Sequence, residues 1–442
     1  KRNIKMELNR TKSLLALASG LTIASLANGA GFAIVEQSVA GLGNAFSGAA
    51  GAEDASVMFF NPAGMSFVDG PQVQAGTHYL MLNAYFKNSG TVTTSPSGAT
   101  VTTSGADSDG GFKTPLPNLY YLQPLTSKLT AGLSVNCPFG LGTEYDEGWV
   151  GRYMARKSEI QTFDVSPALS YKVTDSFSIG VGFDLYYIDA NLTSDIDLNK
   201  DGTSLLDGFT NMKADDDAYG YHLGMLWQAT TSTRFGLSYR SQITTHLKGT
   251  ADFTLPANLP SALAAAQAVF VDQGVGAELD LPSSLSFNVY HNLTDKIDLM
   301  ADVTWTDWST FYSLDLNFEN ALTESVAGKA QIENWRDTIR YSAGMTYKLS
   351  DTLKLRGGLC FDPAAVRGAE FRTPRIPDAK RFWVSTGLNW KLSDKASMDF
   401  AYVHIFVDDP DVDNSTHTAG QHLVGTIEAY MDIVSASFTY KF

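Results

Sequence analysis

FSIGVGFDLYY, residues 177–187, decides the fold. Phe177, Ile179, Val181, Phe183, Leu185 and Tyr187 alternate with Ser178, Gly180, Gly182 and Asp184. A period of two puts the first set on one face of a strand and the second on the other. KIDLMADVTW (296–305) sets Ile297, Leu299, Ala301, Val303 and Trp305 against Asp298, Asp302 and Thr304. TIRYSAGMTYKL (338–349) sets Ile339, Tyr341, Ala343, Met345 and Tyr347 against Arg340, Ser342, Thr346 and Lys348. One face is continuously apolar; the other carries glycine and charge. That suits a barrel with an apolar outside and a polar lumen. A soluble β-sandwich shares the period, so the connections must separate the two.

The connections alternate between two kinds. Six short turns share a composition: LTSK (125–128), TDS (174–176), TTST (230–233), LTDK (293–296), LSDT (349–352) and LSDK (392–395). Seven long polar segments lie near 87–115, 138–158, 193–217, 247–283, 319–337, 362–380 and 407–428. Thirteen connections join fourteen strands, expected near 72–86, 116–124, 129–137, 159–173, 177–192, 218–228, 234–246, 284–292, 296–318, 338–348, 353–361, 381–391, 396–406 and 429–442. Short turns on one side and long loops on the other are the pattern of an outer-membrane barrel. After Gly70 no apolar run reaches the roughly 18 residues of a spanning helix. The last strand, YMDIVSASFTYKF, ends in Phe442 with Tyr440, Phe438, Ala436 and Val434 at two-residue spacing. A terminal aromatic on an alternating strand is the mark by which barrel assembly machinery is expected to recognise such chains.

Composition agrees. The 442 residues carry a net charge of -15, which argues against nucleic acid as a partner. Charged residues are 18% of the chain, against about a quarter in soluble domains. Cys137 and Cys360 read as free, packed thiols rather than a disulfide scaffold. No Gly-x-Ser-x-Gly elbow occurs, and the seven histidines show no metal-ligand spacing. No enzyme, cofactor or metal site is therefore expected.

The chain begins with a basic segment (Lys1, Arg2, Lys5, Arg10, Lys12). The short apolar run SLLALASGLTIASL (13–26) and the small residues Ala27-Asn28-Gly29 follow. Residues 1–29 read as a signal peptide. Next comes AGFAIVEQSVAGLGNAFSGAAGAEDASVMFFNPAGMSF (30–67), which is Gly- and Ala-rich, nearly uncharged and without a regular period. Such a stretch is expected to be held inside something. Two loops stand out. LPSALAAAQAVFVDQG, within 247–283, predicts a short amphipathic helix grouping Leu263, Ala266, Val269 and Phe270. Its apolar face would either pack on the barrel rim or catch ligand. The segment 90–112 is low in complexity and reads as mobile.

These residues resemble the FadL-type outer-membrane transporters of long-chain fatty acids and other hydrophobic compounds. The likeness is carried by AGF (30–32), GLGNAFSG (41–48), Asn61-Pro62-Ala63, WRDTIRYSAGMTY (335–347), TPRIPDAKRFWVSTGLNW (373–390) and the aromatic terminus. It implies an all-β fold, a 14-stranded antiparallel transmembrane barrel of residues 72–442. A small, partly helical N-terminal hatch, residues 30–71, would plug the lumen. It implies capture among the outer loops, binding in an internal pocket, hatch movement and sideways release through a break in the wall. Carried over, Phe32 would reach the pocket. Glu36, Gly41 and Gly43, with Asn61, Pro62 and Ala63, would belong to the plug and its movement.

A fatty acid needs apolar walls and a cation for its carboxylate. By strand parity Arg240, Arg340 and Arg356 face the lumen, with Arg372, Arg375, Lys380 and Arg381 just beyond. Asp184, Asp302 and Asp399 face in too and can neutralise them. Fatty-acid members carry basic residues at the outer end of strand five and late in strand nine. Ser194 and Asp315 align there, which keeps a neutral alkane or aromatic hydrocarbon open as substrate. The expected setting is the outer membrane of a Gram-negative bacterium. The chain is expected there as a monomer among lipid and lipopolysaccharide, with a hydrophobic small molecule as its partner.

Overall fold

The computed structural model describes residues 31–442 except 96, 204, 328–329 and 416–419. The segment read as a signal peptide, and Ala30 with it, lies outside the described residues. Fourteen antiparallel strands form the wall: β1 (Gln72–Asn88), β2 (Lys113–Pro124), β3 (Leu129–Asn136, resumed at Gly140–Glu144), β4 (Lys157–Thr174), β5 (Phe177–Asp197), β6 (Asp207–Gln228) and β7 (Thr233–Arg240, resumed at Ile243–Thr254), then β8 (Gln273–Leu281, resumed at Ser284–Thr294), β9 (Ile297–Thr306, resumed at Ser313–Phe318), β10 (Thr338–Lys348), β11 (Leu353–Asp362), β12 (Arg381–Lys391), β13 (Ala396–Val407) and β14 (Gln421–Lys441). β14 pairs back onto β1 from Gln72↔Lys441 to Asn88↔Gly425, so the sheet closes into a barrel. The period of two sorts the faces as expected. Ile179, Val181 and Phe183 are exposed outward, while Ser178 and Asp184 are buried in the lumen.

The strands outrun their apolar alternation. Residues 193–197 and 207–217, expected as loop, continue the β5–β6 ladder out to Asp197↔Asp207. Beyond the membrane both faces of this ribbon are polar, so the period fades while backbone pairing persists. The same holds for β7 and β8, which leave only residues 255–272 as an apex. There the expected helix is two single turns, Ser261–Leu263 and Ala266–Val269. Segment 90–112 is pinned rather than loose: Val92–Thr94 pairs with Thr100–Thr102 and with Gln421 and His422 of β14. β9, expected to be continuous, breaks at the 3-10 turn Trp308–Thr310.

The N-terminal segment fills the lumen as short helical turns: α1 (Val39–Gly43), a 3-10 turn (Ala49–Gly51), α2 (Val57–Phe60) and a second 3-10 turn (Pro62–Phe67). Ser38 caps α1 by accepting from the Gly41 amide at 3.0 Å. Asn61 caps the last turn, accepting from Ala63 N at 3.1 Å, with Pro62 at the first position. The Asn61 amide also donates to Met225 O at 2.9 Å and Leu237 O at 3.4 Å, backbone carbonyls of β6 and β7. Ser170 and Ser178 hydroxyls donate to Ala63 O at 3.0 and 2.8 Å. The wall is thinned to admit this motif. A Cβ on Gly180 would lie 2.3 Å from Ala63 N, and one on Gly224 would lie 2.1 Å from Asn61 Oδ1.

Candidate functional site

From the outer side, the first cavity measures about 450 Å³ and lies among the outer ends of β5 to β9. Leu192, Met212, Phe253, Val269, Phe270 and Leu316 line it, with Ser194 at its wall. Of the apex residues grouped by sequence, Ala266, Val269 and Phe270 line this cavity and Leu263 does not. A second cavity of about 60 Å³ shares Leu192, Met212, Leu314, Leu316, Gln331 and Arg375 with the first and continues inward. Leu314 and Leu316 face these cavities; Asp315, between them, points to the exposed side and lines neither. That is strand parity, and it removes Asp315 from the ligand-facing set.

Arg375 is buried where the two cavities meet. Its hydrogen bonds to the described residues all leave through Nη1, to Ser158 Oγ at 3.0 Å, Lys157 O at 3.3 Å and Thr193 O at 3.5 Å. Nε and Nη2 have no protein partner, and no carboxylate forms an ion pair with it among the described residues. Burial pulls its pKa down to about 10, so it remains a cation at neutral pH. Glu333 lines the second cavity beside it. It accepts from Gln331 and from Trp335 Nε1, the latter at 3.2 Å. Burial pushes its pKa up to about 8, so it is protonated at neutral pH and does not neutralise Arg375.

The inner end of the second cavity meets an aromatic cluster centred on Phe32. Its ring lies 5.0 Å from Trp308, 5.5 Å from Phe311, 5.9 Å from Trp335 and 6.2 Å from Phe139. Trp308 and Phe311 are three residues apart and would point to opposite faces of a regular strand. The 3-10 turn in β9 brings both into the lumen. Three contacts fix Phe32. Ile34 N donates to Pro138 O at 2.8 Å, Gly140 N donates to Phe32 O at 2.9 Å, and Gly31 N donates to Asp378 Oδ1 at 3.2 Å. Gly31 has φ +61, and a Cβ there would sit 2.3 Å from Trp335. Only glycine fits.

The residues that receive Phe32 also open the wall. β3 breaks at Cys137-Pro138-Phe139, between its two segments. The β2–β3 ladder ends at Leu119↔Val135, although β2 stays with β1 to Lys113↔Met81 and β3 stays with β4 to Glu144↔Lys157. Residues 113–118 of β2 therefore face a slot. Proline is tolerated in a ladder where its missing N–H faces the unpaired side, and this edge reads Lys-Thr-Pro115-Leu-Pro117-Asn. Glu144 N donating to Gly110 O at 3.3 Å closes the slot at its outer end.

The other arginines named from sequence are engaged. Arg356 holds Asp399 at 2.6 Å and Glu53 of the hatch at 3.0 Å. Arg381 holds Asp378 at 2.7 Å. Arg372 donates to the carbonyls of Asp378 and Asp411 at 2.9 and 2.6 Å. These three build the scaffold around the hatch. Arg340 faces a deeper cavity. Glu36 is buried in the hatch with Oε2 unpartnered, and burial pushes its pKa up to about 7. Gly43 packs on the backbone of Gly387, and Gly41 lies against the Phe46 ring. Sequence reasoning missed Trp308, Phe311, Trp335, Glu333 and Asp378; only Trp335 and Asp378 carried a signal, inside the family-like segments 335–347 and 373–390.

Comparison with known proteins places this geometry. The family model described as "Outer membrane protein transport protein (OMPP1/FadL/TodX)" matches residues 20–442. The long-chain fatty acid transport protein of Salmonella typhi is 29% identical over 420 residues, covering 89% of this chain and 92% of its own. The crystal structure of a Pseudomonas aeruginosa FadL homologue superposes with a TM-score of 0.84 at 25% identity, covering 93% of this chain and 100% of that one. The P. putida toluene transporter TodX shares the fold, with a TM-score of 0.67 at 18% identity over 88% of this chain and 94% of its own.

Proposed function

The chain belongs to the OMPP1/FadL/TodX family of outer membrane transport proteins, carriers of hydrophobic compounds in the Gram-negative outer membrane, and from that premise we propose that its substrate is a long-chain fatty acid. The observation that carries this reading is Arg375. A buried guanidinium with two unused donor nitrogens, set where two apolar cavities join, matches a carboxylate on an alkyl chain. The acid is captured in the outer cavity, its head on Arg375 and its tail directed at Phe32. Withdrawal of the Phe32 ring opens the way inward, and the slot between β2 and β3 lets the tail pass into lipid. Sideways release is downhill for an apolar chain, which never has to cross periplasmic water.

A second reading, a neutral hydrocarbon, has one observation in its favour. Neither position aligned with the family's basic residues supplies a cation: Ser194 is uncharged and Asp315 turns away. Competition binding separates the two, with a fluorescent long-chain acid displaced by oleate, methyl oleate or hexadecane. The acid reading expects oleate to compete at least tenfold better than its ester, and R375Q to erase that preference. Equal displacement by all three in the wild type would refute it.

A further inference from the structure

Inward of the aromatic cluster lies a third cavity of about 150 Å³. It is placed there by its lining, which uses Asp302, Thr304 and Thr306 of β9 where the outer cavities use Leu314 and Leu316. Its two walls differ. The hatch contributes Phe46, Phe59 and Phe60; the barrel contributes Arg340, Asp302 and Ser286. Pro138 and Phe139, at the break that opens the slot, also line it.

Arg340 is the anomaly. Arg240, Arg356 and Arg381 each hold a carboxylate at 3.0 Å or closer. Among the described residues Arg340 makes no hydrogen bond, and its one ion pair, to Asp302, is 3.6 Å long. Asp302 is already satisfied, accepting from Ser286 Oγ at 2.5 Å and Thr304 Oγ1 at 2.7 Å. Nε of Arg340 is buried without a partner. Glu36 and Asp362 act on it through space, Asp362 being paired with Arg381, and neither forms an ion pair with Arg340 among the described residues. A largely buried guanidinium facing a cavity with its donors unspent calls for an acceptor that the protein does not supply.

We propose that this cavity is a second, acid-selective station in which Arg340 takes the carboxylate handed on from the outer site. At about 150 Å³ it is smaller than the roughly 300 Å³ at which ligand pockets begin. It therefore holds the head group and first carbons, with the chain lying along the hatch phenylalanines and out past Pro138. The acid leaves tail first, its head released last from Arg340. A neutral hydrocarbon gains nothing from Arg340, so the station sorts acids from hydrocarbons after capture.

This rests on the transport reading, and the test keeps the two apart. Uptake of labelled oleate and labelled methyl oleate is measured in cells lacking their own fatty-acid transporter, expressing wild type, R340Q or R340K at matched folded levels in the outer membrane. The station expects R340Q to lose at least tenfold of oleate uptake while methyl oleate is unchanged, with R340K keeping most of the oleate rate. Oleate uptake by R340Q at the wild-type rate overturns the station. So does an equal loss of both substrates, which would make Arg340 structural. If wild type moves neither substrate, the transport reading itself fails.

Discussion

Replacing Phe32 by alanine should undock the N-terminal end of the hatch without unfolding the barrel. The ring is fully buried among four aromatic neighbours at 5.0 to 6.2 Å. Truncating such a phenylalanine costs about 3–5 kcal/mol. The hold left next to the ring is the hydrogen bonds of Gly31, Ile34 and Gly140, each worth about 1 kcal/mol, with Gln37 still bonded to Asn136 and Cys137 further along. At about 1.4 kcal/mol per factor of ten, the docked-to-undocked ratio falls by about two to four orders of magnitude. Hydrogen exchange read by mass spectrometry in nanodiscs gives the answer. Protection in a peptide spanning 31–38 should fall at least 100-fold, with strand amides around Ile179–Phe183 unchanged. Oleate uptake should rise as the passage opens. Unchanged exchange over 31–38 would refute the gate. A rise in exchange across the whole barrel would show instead that Phe32 holds the fold.

G31A should strain the same clamp. A left-handed alanine costs about 1–2 kcal/mol, and its methyl would force Trp335 aside, so the near-ultraviolet dichroism of the Trp308–Trp335 pair, 5.1 Å apart, should change while the barrel stays folded. N61A removes a cap and two bonds to the wall, loosening the hatch by about 2–4 kcal/mol; limited proteolysis should cut within 51–67 far sooner than in wild type. Glu333 gives a pH signature with a definite sign. Its pKa is raised to about 8, so it is neutral below that pH and anionic above it, when it becomes the counter-ion of Arg375. Fatty-acid affinity should therefore fall as pH rises through about 8, and E333Q should remove the fall.

The wall was legible in the sequence because lipid on one side and a polar lumen on the other enforce a strict period of two, as at Ile179 to Phe183. Where both faces meet water, as along Thr193 to Asp197, the same ladder continues without that period and reads as loop. The site was less legible because it is built at breaks in the strands. Phe311 has the wrong parity for the lumen until the turn at Trp308 rotates it in. Arg375 could be named as a cation but not told apart from Arg356, Arg372 and Arg381. Pairing is decided by neighbours some tens to hundreds of residues away, such as Asp399 and Ser158.

Pro115 and Pro117 carry one more consequence. A slot bounded by ordinary residues would tend to zip shut, since both edges would gain hydrogen bonds by pairing. Two imino acids on one edge, facing a third at Pro138 on the other, remove much of that gain. The gap in the wall is then a standing feature needing no conformational work, and the barrel can stay rigid through a transport cycle. On the proposed route, the motion then falls to the few residues at the start of the hatch.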